Sequence, residues 1–276
     1  MIVKYRSRLM ELPEEVRRGL AEVSYQIGMT PSARKERAIN VLKSNNVPFN
    51  EVGTGTNRFI VKYDGYVIKI ALDKEGIADN KQEYVMSNLL APDVAPAREI
   101  CNGGHLLVAS YAPAFSSYQE FLAYRSDIVK ILRKWGSRYL LGDVGITSVN
   151  YANWGMYMGK PVCIDYAYIF PVNMDVFTCV CGCKEMVFTD ESFTKYRCAN
   201  PLCSIEYTDR DLRAKISQKE RLKLFENVSE GSFQISTPTM DFEVPEEFIE
   251  KDTDPDMPDP IEVISSVNNH WGFPTF

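Results

Sequence analysis

Histidine is scarce. The chain of 276 residues holds two, His105 beside the Gly103-Gly104 turn and His270 in an aromatic C-terminal stretch. Each is isolated from other reactive side chains, which argues against imidazole-centred acid–base or nucleophilic chemistry. Long apolar runs are missing too. No segment reaches the roughly 18 uninterrupted apolar residues a membrane helix needs, and the opening MIVKYRSRLMELPEE lacks the apolar stretch of a signal peptide. The expectation is a cytoplasmic protein (host-cell cytoplasm if viral) with no membrane partner. In that compartment disulfides do not persist, so seven cysteines point to metal ligands or free thiols. A positive balance is also absent. The net charge of -6 argues against nucleic acid as a partner of the whole chain, and no internal repeat is visible.

What is present is unevenly placed. Residues 1–46 hold nine Lys and Arg against five Asp and Glu, whereas residues 241–262 hold ten acids against one lysine. The basic front reads as two helices. The first covers 11–28, with Pro13 in its first turn and Val16, Leu20 and Val23 on one face; the second opens with Thr30 as cap and Pro31 at its first helical position. The acidic end holds six prolines from Ser236 onward and is expected to stay extended unless a partner orders it.

From Phe49 the pattern alternates. FNEV, RFIVKY and YVIKIAL read as three strands, with Asp64-Gly65 as a hairpin turn between the last two. DNKQEYVMSNLL reads as a helix capped by Asp79, with Gln82 in the capping-box position. A second hairpin near 97–110, two helices, a loop (GDVGITSVNYANWG) and a short hairpin ending in VCIDYA follow. One residue in this order is out of place. Lys69 lies between Ile68 and Ile70 in a strand that reads as core, and a buried ammonium is costly unless paired. The turn GTGTNR, with Gly53 and Gly55, lies one hairpin upstream, where backbone N–H groups can face phosphate. Glu83 lies 14 residues downstream on the next helix, within reach of an ion pair. Asp143 sits in the loop, Asn153 ten residues later and Asp165 twelve beyond that. Oxygen donors converging beside phosphate suit Mg²⁺, and Asp143 is placed to take a proton from a hydroxyl or to orient it. Asn150 competes with Asn153 for the donor position.

This order of residues resembles the protein-kinase-like superfamily, which includes small-molecule kinases. The match runs over about 49–170: Gly53 and Gly55 in the hairpin turn, strand Lys69, helix Glu83, a hinge-like VASYAP, Asp143, Asn153, then Asp165-Tyr166-Ala167 where that family has Asp-Phe-Gly. The chain also looks like uncharacterised kinase-like proteins of large tailed phages. The resemblance implies two lobes with ATP between them, Lys69 holding the α- and β-phosphates, Glu83 holding Lys69, Asn153 and Asp165 ligating Mg²⁺, and Asp143 as base. The chain departs from the family in three ways. LGD leads into Asp143 without histidine, the Asp143-to-Asn153 spacing is ten rather than five, and little chain follows Asp165 to build a full helical C-lobe.

Cys179, Cys181 and Cys183, then Cys198 and Cys203, form two clusters joined by strand-like residues and resemble a zinc ribbon. Four thiolates give Zn²⁺ its tetrahedral shell, and metal binding would stabilise a segment with too little core of its own. Gly182 permits a tight turn after Cys181, which favours Cys179, Cys181, Cys198 and Cys203 and leaves Cys183 spare. The pairs lack the usual Cys-x2-Cys spacing.

The expected fold is α+β: a two-lobed protein-kinase-like fold with a reduced C-lobe, a small zinc ribbon and an extended acidic tail. Its expected segments are a basic helical region (1–48), a β-rich lobe (49–112), the reduced lobe (113–176), the ribbon (177–208), a helix (209–235) and the tail (236–276). The expected function is ATP/Mg²⁺-dependent phosphotransfer to an unidentified acceptor. Its rival is a pseudokinase that keeps the fold for binding, as in a phage assembly. A protein partner is expected through the acidic tail or the N-terminal helices.

Overall fold

Side-chain alternation along two strands organises the first half of the computed structural model, which describes residues 12–136, 138–171 and 177–216. These all belong to the first of two units of the chain, Met1–Phe233; the second, Gln234–Phe276, lies outside the described residues. So do the acidic tail and most of the helix expected over 209–235.

An antiparallel five-stranded sheet has the order β1-β2-β3-β5-β4, with β1 Asn50–Thr54, β2 Arg58–Tyr63, β3 Tyr66–Ala71, β4 Ala97–Cys101 and β5 Leu106–Ser110. Asp64 and Gly65 both take positive φ (43° and 80°) at the β2–β3 turn, as a two-residue hairpin of this twist requires. Phe59, Val61, Ile68 and Ile70 point to one face, where they are buried against Val16, Leu20, Ala38 and Leu42. The last four come from α1 Glu14–Glu22 and α2 Pro31–Ser44, the latter capped by Thr30, whose hydroxyl accepts from Ala33 N–H. Each fully buried Val, Leu, Ile or Phe among them contributes about 1.5–3 kcal/mol. The opposite face carries Arg58, Ile60, Val67 and Lys69, and α3 Lys74–Leu90 lies beside it.

α3 corrects one expectation. The helix begins at Lys74 and is capped by Asp73, whose carboxylate accepts from Gly76 N–H at 2.9 Å. Asp79 is buried mid-helix, and Gln82 reaches away from any cap to the Ile169 carbonyl at 2.7 Å.

The second half is built on α4 Tyr118–Ala123 and α5 Arg125–Gly136, with short strand pairs: β6 Tyr139–Leu140 with β9 Phe170–Pro171, and β7 Trp154–Tyr157 with β8 Lys160–Cys163. Its core gathers Phe121, Leu132, Trp135 and Trp154, and the two indoles stack at 6.0 Å. The cysteine-rich segment is a three-stranded antiparallel sheet of β10 Met186–Phe188, β11 Lys195–Cys198 and β12 Glu206–Thr208, followed by α6 Asp209–Arg213 with a Thr208/Asp211 capping box. No helix among the described residues is long and apolar enough to cross a membrane.

Candidate functional site

Period-two alternation puts Lys69 on the face that meets α3, and there its ammonium is paired. Lys69 Nζ lies 2.5 Å from Glu83 Oε2 and donates to the Ile164 carbonyl at 2.8 Å. Both side chains are buried. Glu83 faces a second cation absent from the sequence reading: Arg58 Nη1 is 2.9 Å from Glu83 Oε1, Arg58 Nη2 is 2.8 Å from Asp165 Oδ1, and Arg58 Nε is 3.7 Å from Asp79 Oδ2. Arg58, Lys69, Glu83, Asp79 and Asp165 thus form one network, two cations among three carboxylates. Arg58 follows the glycine turn and shares the Lys69 face by the same alternation. That was its only signal in the sequence.

The network perturbs its members. Burial works to raise the Asp165 carboxyl, but the Arg58 and Lys69 charges outweigh it and hold the group well below the ordinary carboxylate range. Burial lifts Glu83 above its ordinary value against the pull of the same two cations. Burial also penalises the Arg58 cation, and Glu83, Asp165 and Asp79 overcome it, so Arg58 stays charged.

A cleft of about 130 Å³ opens beside this network, and its lining includes Gly55, Arg58, Asp79, Asp143, Asn153 and Asp165. The Asp165 side chain is 41% exposed toward solvent. Asn153 is tied into place twice: its amide donates to the Asp143 carbonyl at 2.8 Å, and its own carbonyl accepts from Ile164 N–H at 2.8 Å. Gly142, just ahead of Asp143, has φ +56°, and a Cβ there would lie 2.4 Å from the Tyr168 carbonyl oxygen. Asp143, Asn153 and Asp165 therefore meet at one cleft. Gly55 lines it and Gly53, on β1, does not; nor does Asn150, whose N–H caps onto Thr147 instead.

The second cluster is sulfur. One Sγ from each of Cys179, Cys181, Cys198 and Cys203 lies within 4.8 Å of the others, with Cys179–Cys203 at 3.7 Å and Cys181–Cys198 at 3.5 Å. A tetrahedron of thiolates around zinc has edges of about 3.8 Å, so the four sulfurs fit that ion. The Cys179 thiol is drawn down to about 6, first by a hydrogen bond from the Cys181 N–H and then by the Tyr207 hydroxyl. Cys183 stands apart, with its sulfur toward the Glu185 carbonyl. Cys163 is buried in strand β8.

No protein-family model and no curated protein matches this chain. Among solved structures it is similar to the Rio2 kinase–ADP/Mg²⁺-phosphoaspartate complex from Chaetomium thermophilum, at 15% identity and a TM-score of 0.36. The match covers 70% of this chain and 62% of that one, so the chain spans less than two thirds of that structure's length.

Proposed function

We propose that the chain is a protein-kinase-like, ATP/Mg²⁺-dependent phosphotransferase. The observation that carries this reading is the buried Lys69–Glu83 pair beside a cleft lined by Asp143, Asn153 and Asp165. Such a buried lysine–glutamate pair next to a cleft is suited to meet a polyphosphate. Neither Lys69 nor Glu83 lines the cleft itself; Lys69 would hold the α- and β-phosphates from behind Arg58 and Asp165, with Glu83 as its ion-pair partner. The Gly55–Arg58 turn covers the phosphates. Hard oxygen donors on Asn153 and Asp165 fit Mg²⁺, which when bound neutralises charge developing on the transferred group. Asp143 accepts the proton of the acceptor hydroxyl or orients it. Cys179, Cys181, Cys198 and Cys203 hold a structural Zn²⁺. A protein partner through the N-terminal helices or the acidic tail belongs to the same proposal.

One observation favours a second reading, a pseudokinase that binds without turnover. Arg58 occupies Asp165 Oδ1 and so competes with a metal for that carboxylate. Thermal shifts with ATP plus Mg²⁺ and with ATP plus EDTA separate the two. Metal-dependent stabilisation that is lost in folded Lys69→Met and Asp165→Asn, with turnover lost in Asp143→Ala, supports the phosphotransferase. Metal-independent stabilisation without turnover supports the pseudokinase. No nucleotide effect in any form rejects the phosphotransferase and favours a scaffold that keeps the fold for binding a partner.

A further inference from the structure

Both flanks of Asp143 rest on the cysteine-rich sheet. Two residues ahead, Leu141 N–H donates to the Tyr196 hydroxyl at 2.8 Å. Tyr196 lies on β11, two residues from Cys198, and is fully buried. Three residues after Asp143, Ile146 N–H donates to the Ser192 carbonyl at 2.9 Å. Between them, Gly145 runs so close that a Cβ would lie 2.5 Å from the same Ser192 oxygen. The end of α5 docks there too: a Cβ on Gly136 would meet the Phe188 ring at 2.1 Å. Leu140 and Phe170, which pair across β6 and β9, share one apolar cluster with Tyr196, Cys179 and Cys198.

The turn that presents Ser192 is itself fixed. The Asp190 carboxylate accepts from Thr194 N–H at 3.0 Å and Lys195 N–H at 2.9 Å. What anchors the whole sheet is less apparent. Its three strands are three or four residues long, and a segment of this size needs a cross-link or metal to hold its shape. The clustered sulfurs supply the place for one.

We infer that Tyr196 is a positioning residue for Asp143, and that a metal held by Cys179, Cys181, Cys198 and Cys203 fixes the Asp143 loop through it. The importance of Asp143 rests on the phosphotransfer reading; the mechanical link from sulfur cluster to loop does not. If Tyr196 were only a core residue, its hydroxyl would be dispensable and loop order would not follow the metal.

Amide hydrogen exchange on the full chain tests this in three forms: zinc-loaded, chelator-treated, and zinc-loaded Tyr196→Phe. Chelation is expected to lower protection at both Leu141 and Ile146 while β3 and β5 keep theirs. Tyr196→Phe is expected to lower protection at Leu141 roughly tenfold, the scale of one lost buried hydrogen bond, and to change protection at Ile146 less than chelation does. Unchanged Leu141 protection in Tyr196→Phe overturns the role of the hydroxyl, and unchanged loop protection after chelation overturns the metal link. If chelation also strips β3 and β5, the metal holds the whole fold rather than this loop and the specific link is refuted, while Tyr196→Phe with zinc retained still decides the hydroxyl: loss at Leu141 supports its role, and no loss refutes it. In a chain that turns over nucleotide, Tyr196→Phe lowers kcat and leaves the nucleotide KM unchanged. Metal-dependent loop order in a chain that binds no nucleotide in any form rejects the phosphotransfer reading and leaves the brace standing.

Discussion

Replacing Glu83 by Gln should be among the most destabilising single changes in this chain. The carboxylate is buried between Lys69 Nζ at 2.5 Å and Arg58 Nη1 at 2.9 Å. An amide of the same shape removes the negative charge and leaves two buried cations. Lys69 would keep the Ile164 carbonyl, and Arg58 would keep Asp165 and Asp79. Removing one partner of a buried pair costs about 3–5 kcal/mol, because the stranded charge stays out of water. Against a typical stability of about 5–15 kcal/mol that is a large share. Lys69→Met is milder, at about 1–3 kcal/mol, because Glu83 still has Arg58. The double change Lys69→Met/Glu83→Gln should cost less than the two single changes summed, by about 1–3 kcal/mol, since the lysine is no longer there to be stranded. Urea denaturation of wild type, both single variants and the double variant closes the cycle. Costs below about 1 kcal/mol for Glu83→Gln, the level of an exposed pair, with no coupling between the two sites, would refute the claim that these charges are buried and mutually dependent.

Other outcomes follow from other parts of the molecule. His105 is buried, its ring held by the hydroxyls of Ser24 and Tyr25, and burial, helped by the Lys81 charge, lowers it from 6.5 to about 4. The unfolded chain therefore binds the extra proton first: the stability His105 confers is complete above pH 6.5 and falls as pH drops toward 4, by at most about 3 kcal/mol. His105→Gln should flatten that slope in acid titrations followed by fluorescence. Gly142→Ala forces a side chain into a left-handed backbone 2.4 Å from the Tyr168 oxygen and should cost about 2 kcal/mol or more in chemical denaturation. Elemental analysis should find about one zinc per chain, reduced sharply in Cys198→Ser and Cys203→Ser and retained in Cys183→Ser; equal loss in all three would displace the four-sulfur assignment. Arg58→Met should raise the Asp165 carboxyl toward its ordinary value, so that Mg²⁺-dependent nucleotide binding, measured by calorimetry, weakens as pH falls toward 4 while wild type holds.

Some of this was legible before any coordinates, because the signals were local. A lysine inside the core-like strand YVIKIA needs an anionic partner, phosphate or carboxylate, and Glu83 on the next helix lies within reach of it. Positions set by pairing across the chain were not legible. The β6–β9 pair spans about thirty residues and is only two residues long on each side, too short to leave an alternating pattern. The α3 start was misplaced because Asp73 and Asp79 both offer capping chemistry, and only packing shows that Asp79 turns inward toward Arg58. Arg58 shares the parity of Lys69, but an arginine directly after a glycine turn reads as a solvated turn residue until packing buries it against Glu83 and Asp165. The hydrogen bond from Leu141 to Tyr196 joins residues 55 apart by a single hydroxyl, and nothing in their sequence surroundings announces it.

The helices before residue 48 form the lid on the outer sheet face, where Phe59, Val61, Ile68 and Ile70 lie beneath Val16, Leu20 and Leu42. A shortened chain beginning at Phe49 would carry every residue of the cleft and still present water with a bare apolar sheet, open to stacking against its own copies. The front of this molecule is thus a wall of the half that holds the cleft, and anyone preparing that half alone should cut no later than the start of α1.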